Sequence, residues 1–270
     1  MSAKTSFLDR GEGRIGYDVT GSGPLVVCLP GMGDLRSVYR FVVPELAAAG
    51  YTVATMDLRG HGDSDPTFTA YDDVAAGGDL LALIELLGGP AVVLGNSMGA
   101  GSAVWAAAER PEAVAGLVLL GPFVHNTPVN PLLRWALRLS MAGRWRTAVW
   151  RSYLPAMYAG QRPADFEEHR AAVVASLRRP GYGAAFRATT HTTHAPAEER
   201  LGQVAAPTLV VMGERDPDFA DPAAEGQWVA EQLRGDLLMV PDAGHYPQAQ
   251  RPDLVNPAVL GFLARVAPSA

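Results

Sequence analysis

The stretch from Ala91 to Ala108 leaves the backbone little choice. Ala91-Val92-Val93-Leu94 is a short apolar run of strand character, and Ala100 to Ala108 is rich in alanine and predicts a helix. Only Gly95-Asn96-Ser97-Met98-Gly99 separates them. A chain that passes from strand to helix this abruptly drives its corner residue toward positive φ. It also needs small neighbours where two backbones pass closely, which Gly95 and Gly99 supply. Ser97 is the corner residue, and the turn holds its hydroxyl outward.

The rest of the chain repeats the same alternation. Arg14 to Thr20 alternates weakly, Gly21-Ser22-Gly23-Pro24 marks a turn, and Leu25 to Leu29 is continuously apolar, so two early strands are predicted. Val38 to Ala49 has helical spacing, Tyr51 to Met56 predicts a strand, and Tyr71 to Leu87 predicts a second helix. Ala115 to Leu120, Thr208 to Met212 and Leu237 to Val240 add further strands. Such a rhythm implies an α/β fold, a mostly parallel central sheet flanked by helices. From about His125 to Val204 it breaks into helical, aromatic and arginine-rich sequence with no strand-like run. The expected organisation is therefore a core domain of residues 1–124 and 205–270, with residues 125–204 inserted as a helical cap.

Composition narrows the partners. With 22 Lys and Arg against 28 Asp and Glu, the net charge of −6 offers no general attraction to nucleic acid or to an anionic membrane. The uncharged stretch Leu86 to Ala108 has the length of a membrane span only if Gly88-Gly89-Pro90 and the serine turn are ignored. Met1 to Arg14 is charged early and lacks the apolar core of a signal peptide, so a cytoplasmic location is expected. The single cysteine, Cys28, lies in the apolar run and reads as a buried thiol.

In open parallel sheets, ligands bind at the carboxyl ends of the strands, so the loops there are where chemistry is expected. Four of them hold suggestive residues: Pro30-Gly31-Met32-Gly33-Asp34, Asp57-Leu58-Arg59-Gly60-His61-Gly62-Asp63-Ser64, Gly213-Glu214-Arg215-Asp216-Pro217-Asp218, and Pro241-Asp242-Ala243-Gly244-His245. A serine hydroxyl attacks well only when a base takes its proton, and an imidazole with a pKa near 6.5 suits that task once an acid orients it. Ser97 is the candidate nucleophile and His245 the base. Asp216, Asp218 and Asp242 compete for the role of acid.

These loops and the serine turn together resemble the α/β-hydrolase superfamily over nearly the full chain, in the chain order Ser97, Asp216, His245. The resemblance selects Asp216 as the acid. It implies that the backbone N–H groups of Met98 and Met32 receive the charge that develops on a substrate oxygen. It assigns Asp57-x-Arg59-Gly60-x-Gly62-x-Ser64 a structural role. One departure is Pro30, where a histidine commonly precedes the glycine; this removes a loop anchor, and Gly33 and Asp34 are expected to leave the loop flexible and negatively charged. Asp34 is expected either to anchor an arginine or to disfavour anionic substrates.

Further residues have blander readings. His191 and His194 could share a helical face and bind a metal, but no third ligand is evident, so no metal is expected. Trp135, Trp145, Trp150, Tyr153, Tyr158, Phe166, Tyr182 and Phe186 read as cap core, some of them lining an apolar acyl pocket. Arg134, Arg138, Arg144, Arg146 and Arg151 read as a solvated helix face.

The expected activity is cofactor-free hydrolysis of a carboxylic ester, or a related acyl bond, of a small apolar molecule through an acyl-enzyme. A serine nucleophile argues against the dehalogenase and epoxide-hydrolase branches of the fold, which use a carboxylate. Carbon–carbon bond hydrolysis and lactonase activity on the same triad stay open. So do thioesterase and perhydrolase activity and, from another class, a ligand-binding receptor or a cofactor-free lyase.

Overall fold

The computed structural model describes residues 5–126, 139–143 and 145–267. Eight strands, β1 Ser6–Asp9, β2 Arg14–Thr20, β3 Leu25–Leu29, β4 Thr52–Met56, β5 Ala91–Asn96, β6 Val114–Leu120, β7 Thr208–Gly213 and β8 Asp236–Val240, form one sheet in the order β1-β2-β4-β3-β5-β6-β7-β8. β1 pairs with β2 and β2 with β4 in antiparallel fashion; every other pairing is parallel. β1 is the strand that the sequence does not announce. It lies at the edge of the sheet with Phe7 44% exposed, so it needs no apolar run.

The central strands are apolar throughout because both their faces are covered. Along β3, Leu25, Val27 and Leu29 enter one core cluster while Val26 and Cys28 enter the other. The first cluster takes side chains from α2 Asp73–Leu86, α3 Met98–Glu109 and a later helix, Pro222–Leu233. The second takes them from α1 Val43–Ala48 and the last helix, Pro252–Val266. Burial pushes the Cys28 thiol well above its ordinary pKa, and it stands as a small apolar group in that second layer.

The helix expected over Val38 to Ala49 is interrupted. A 3-10 turn runs from Arg36 to Tyr39, and α1 starts only at Val43, with Pro44 in its first turn. Proline has no N–H to donate and fits the start of a helix, so the chain restarts there.

Between β6 and β7 the described residues contain helices and no strand: α4 Arg146–Met157, α5 Phe166–Leu177, α6 Tyr182–Thr189 and α7 Ala195–Glu198. Trp150, Tyr158, Phe166 and Phe186 are buried, and they join the core cluster on the β3 face that carries Cys28. Trp145 and Tyr153 stay exposed. Arg146 caps carbonyls of Met141 and Ala142 instead of facing solvent, whereas Arg151 is exposed. Trp135, Arg134, Arg138 and Arg144 lie outside the described residues. After β7 come α8 Pro222–Leu233, α9 Pro247–Gln250 and α10 Pro252–Val266. No helix among the described residues is long and apolar enough to cross a membrane.

β3 sits between β4 and β5, so the chain leaves it in one direction toward β4 and is flanked by β5 on the other. The loops after β3 and β5 thus diverge at the switch point of the sheet, where such folds open a crevice.

Candidate active site

Ser97 turns the chain from β5 into α3 with φ 56 and ψ −123, a conformation in which a side chain is strained. The neighbours show why small residues are required. A Cβ on Gly95 would lie 2.5 Å from the Gly99 carbonyl oxygen, and one on Gly99 would strike the Leu29 carbonyl and lie 2.7 Å from that of Pro30. The corner is tied down from outside as well: the Ser97 N–H donates to Leu120 at 3.0 Å, and the Ser97 carbonyl accepts from Phe123. Ser97 is 7% exposed.

The loop after β3 lies against this corner. A Cβ on Gly31 would sit 2.7 Å from the Ser97 Cβ and 3.2 Å from its Oγ. Met32 follows directly. Met98 heads α3, where first-turn N–H groups have no partner within the helix. The two amides expected to face a substrate oxygen therefore belong to segments packed around Ser97.

This loop is held, contrary to the expectation of flexibility. The Gly33 N–H donates to Nε2 of His61 at 2.9 Å, the Gly33 carbonyl accepts from Nε1 of Trp150 at 2.8 Å, and Asp34 accepts from the Leu35 N–H at 2.7 Å. The anchor missing at Pro30 is supplied by His61, from the loop after β4. Among the described residues Asp34 pairs with no arginine: it is fully buried, and its Oδ1 lies 2.7 Å from Nε2 of His169 on α5. The nearby Arg36 is spread over Asp18, Asp57 and Asp63. Burial raises the pKa of Asp57, opposed by Arg36, and its carboxylate accepts the N–H groups of Arg36 and Asp63. The structural role expected for the Asp57 turn is thus visible in detail.

His245 lies on the loop after β8. Its Nδ1 is 2.7 Å from Asp216 Oδ2 and 3.6 Å from Asp218 Oδ2, so both candidate acids reach it and Asp216 makes the hydrogen bond. Asp242, the third candidate, instead pairs with Arg215. Burial alone would lower the His245 pKa, but the carboxylates of Asp216 and Asp218 favour the imidazolium and raise it to about 9. Asp218 is fixed in turn by the Tyr153 hydroxyl, from α4. Nε2 of His245 is buried with no hydrogen-bond partner among the described residues.

Two bridges tie the His245 loop to the serine turn. Asn96 donates from Nδ2 to the His245 carbonyl at 3.2 Å and to the Leu120 carbonyl at 2.8 Å. Phe123, whose N–H holds Ser97, sets its ring edge-on to the imidazole, with centroids 5.8 Å apart. Asn96 lies inside the serine turn, yet nothing in the pattern marks it as a bridge. Phe123 and His169 gave no sequence signal, and Trp150 and Tyr153 read only as cap aromatics, because each acts through a distant partner.

His191 and His194 do not share a helical face. Neither His191 nor His194 is helical; His194 lies 2.7 Å from buried Asp73. Among the described residues, one group of acidic and imidazole side chains is close enough to hold a cation, Asp216, Asp218 and His245, with ligand atoms within 4.8 Å of one another. A groove of about 990 Å³ runs past Arg36, Arg40 and Arg179, and none of Ser97, Asp216 or His245 lines it. Its arginines are all paired, Arg40 with Asp165 and Arg179 with the Gly62 carbonyl.

Known proteins share this plan. The chain is 30% identical over 263 residues to 2-(acetamidomethylene)succinate hydrolase of Mesorhizobium japonicum, covering 93% of this chain and 92% of that protein. It is 30% identical over 231 residues to the pimeloyl-[acyl-carrier protein] methyl ester esterase of Neisseria meningitidis, covering 82% and 71%. Its fold superposes on a thermophilic esterase from Thermogutta terrifontis with a TM-score of 0.84 at 24% identity, covering 98% of this chain and all of the other. Residues 26–258 match the alpha/beta hydrolase family, and the protein belongs to it.

Proposed function

We propose that the protein is a serine hydrolase that cleaves a carboxylic ester, or a related acyl bond, of a small apolar substrate. The observation that carries this reading is the Asp216–His245 hydrogen bond beside a strained serine corner. In the proposed cycle, Nε2 of His245 takes the proton from Ser97 Oγ as that oxygen attacks the acyl carbon. The carbonyl oxygen becomes an oxyanion, received by the N–H groups of Met32 and Met98. As the tetrahedral intermediate collapses, Nε2 returns the proton to the leaving oxygen and an ester of Ser97 remains. Water then attacks that ester, giving its proton to Nε2, and the acid leaves as Ser97 regains its proton.

Asp216 orients the imidazole and stabilises its charged form, and Asp218 adds to the same field. Residues 125–204 are proposed as the cap over this site, a reading supported by Trp150, which bonds the Gly33 carbonyl in the loop after β3, and by Phe186, which packs on Trp150. A relative that is a methyl ester esterase lends weight to the ester reading. A panel of acyl esters, lactones and diketones, assayed with wild type and Ser97→Ala, tests it. Ester turnover lost in the variant is expected; preference for diketones would move the activity to carbon–carbon cleavage.

A further inference from the structure

Gly33 is gripped at both of its polar atoms, by residues from two separate parts of the fold. Its N–H donates to Nε2 of His61 at 2.9 Å, and its carbonyl accepts from Nε1 of Trp150 at 2.8 Å. The His61 tautomer follows from its other partner. Nδ1 lies 2.9 Å from the Arg59 carbonyl, which can only accept, so Nδ1 carries the proton and Nε2 is free to accept. Burial lowers the His61 pKa to about 4, which keeps that acceptor intact at neutral pH.

The fit leaves no slack. Gly33 has φ 71, and a Cβ there would fall 2.6 Å from Cζ2 of Trp150, so the indole occupies the space where a side chain would stand. Phe186 packs edge-on against both clamping rings, with centroids 6.0 Å from His61 and 5.2 Å from Trp150. On its other side Met32 adjoins Gly31, which lies against Ser97. The peptide before Met32 lies against the serine corner, the peptide after it is held by the His61 bond to the Gly33 N–H, and the next one by the Trp150 bond to the Gly33 carbonyl.

We propose that Trp150 and His61 are positioning residues for the Met32 amide, and that α4 seated on the loop completes the oxyanion hole. This rests on the reading of Met32 as an oxyanion donor. Only a preorganised donor stabilises a transition state without reorganising as charge develops. A loop freed at Gly33 still has its N–H groups but no longer holds them at one point in space. α4 belongs to the segment between β6 and β7, so the same contact links the seating of that segment to the competence of Ser97.

The test uses Trp150→Phe, which keeps a ring and removes the N–H, together with His61→Phe and His61→Gln. Each is assayed for kcat and KM on an aryl ester. Each is also assayed for binding of a trifluoromethyl ketone, which forms a charged adduct with the serine, and of the matched methyl ketone, which does not. W150F is expected to lower kcat on the order of 10- to 100-fold with KM nearly unchanged. Its affinity for the trifluoromethyl ketone should fall by a similar factor while that for the methyl ketone holds. H61Q, which retains an acceptor, should keep more of kcat than H61F. Equal losses for both ketones, or wild-type kinetics in W150F and H61F, would overturn the proposal. If wild type itself neither cleaves the ester nor prefers the trifluoromethyl ketone, the hydrolase reading fails, and this one falls with it. W150F and H61F remove different bonds to Gly33, so a folding defect in one, seen by circular dichroism, leaves the other as the test.

Discussion

Nδ1 of His245 lies 2.7 Å from Oδ2 of Asp216, in a contact that solvent does not reach. An ordinary histidine would titrate near pH 6.5, which would confine the loss of activity to the range of pH 5 to 8. The carboxylates overcome the effect of burial and raise the pKa to about 9. The base must be neutral to accept the serine proton, and the neutral fraction grows as pH rises through the pKa. The kcat/KM is therefore expected to climb with pH, with its midpoint near pH 9 and its plateau above that. A profile that is level from pH 6 upward would contradict this.

Asp218 adds a second negative charge 3.6 Å from the same nitrogen. Replacing it with asparagine removes part of the field that favours the imidazolium. In Asp218→Asn the midpoint of the pH–rate profile should therefore move to lower pH, with most of the plateau rate retained. Asp216→Asn should instead lose rate on the order of 10⁴-fold, as loss of the orienting acid does in related triads. Equal losses in the two variants would show that the acids share one role.

Gly31 sets how closely the loop after β3 approaches the serine. A methyl group there would meet the Ser97 Cβ at 2.7 Å, so the loop or the corner must shift. Gly31→Ala should reduce kcat/KM by about 100-fold, since a displacement near 1 Å costs about that much. Steady-state kinetics beside a thermal melt measures it. Full activity in a folded variant would mean that the loop does not act at Ser97.

The sheet was legible because its central strands are buried on both faces and so read as unbroken apolar runs. β1 was not, since an exposed edge strand bears no such run. Ser97, Asp216 and His245 could be placed on their loops because chain order and turn composition mark those positions. The clamp on Gly33 could not be read. His61 sits in a turn whose other residues explain themselves locally, and Trp150 is 117 residues from the carbonyl it holds. Asp34 misled for the same reason: an exposed-looking acid invites an arginine, but folding buries it against His169.

His194 and Asp73 form a buried contact between the segment after β6 and α2. Asp73 is almost wholly enclosed, and burial raises its pKa. His194→Ala would leave its carboxyl group without that donor, at a cost of about 1–3 kcal/mol. Urea unfolding should show the loss as a lower midpoint. An unchanged midpoint would mean that the pair contributes nothing net.

A covalent ester on Ser97 is the step from which the rest of the proposed chemistry follows. Rapid quenching during turnover of an activated aryl ester, followed by mass spectrometry of the peptides, should find the acyl group on Ser97 and nowhere else, and Ser97→Ala should neither carry it nor turn over. Acylation at another residue, or turnover persisting in Ser97→Ala, would contradict nucleophilic catalysis at this serine.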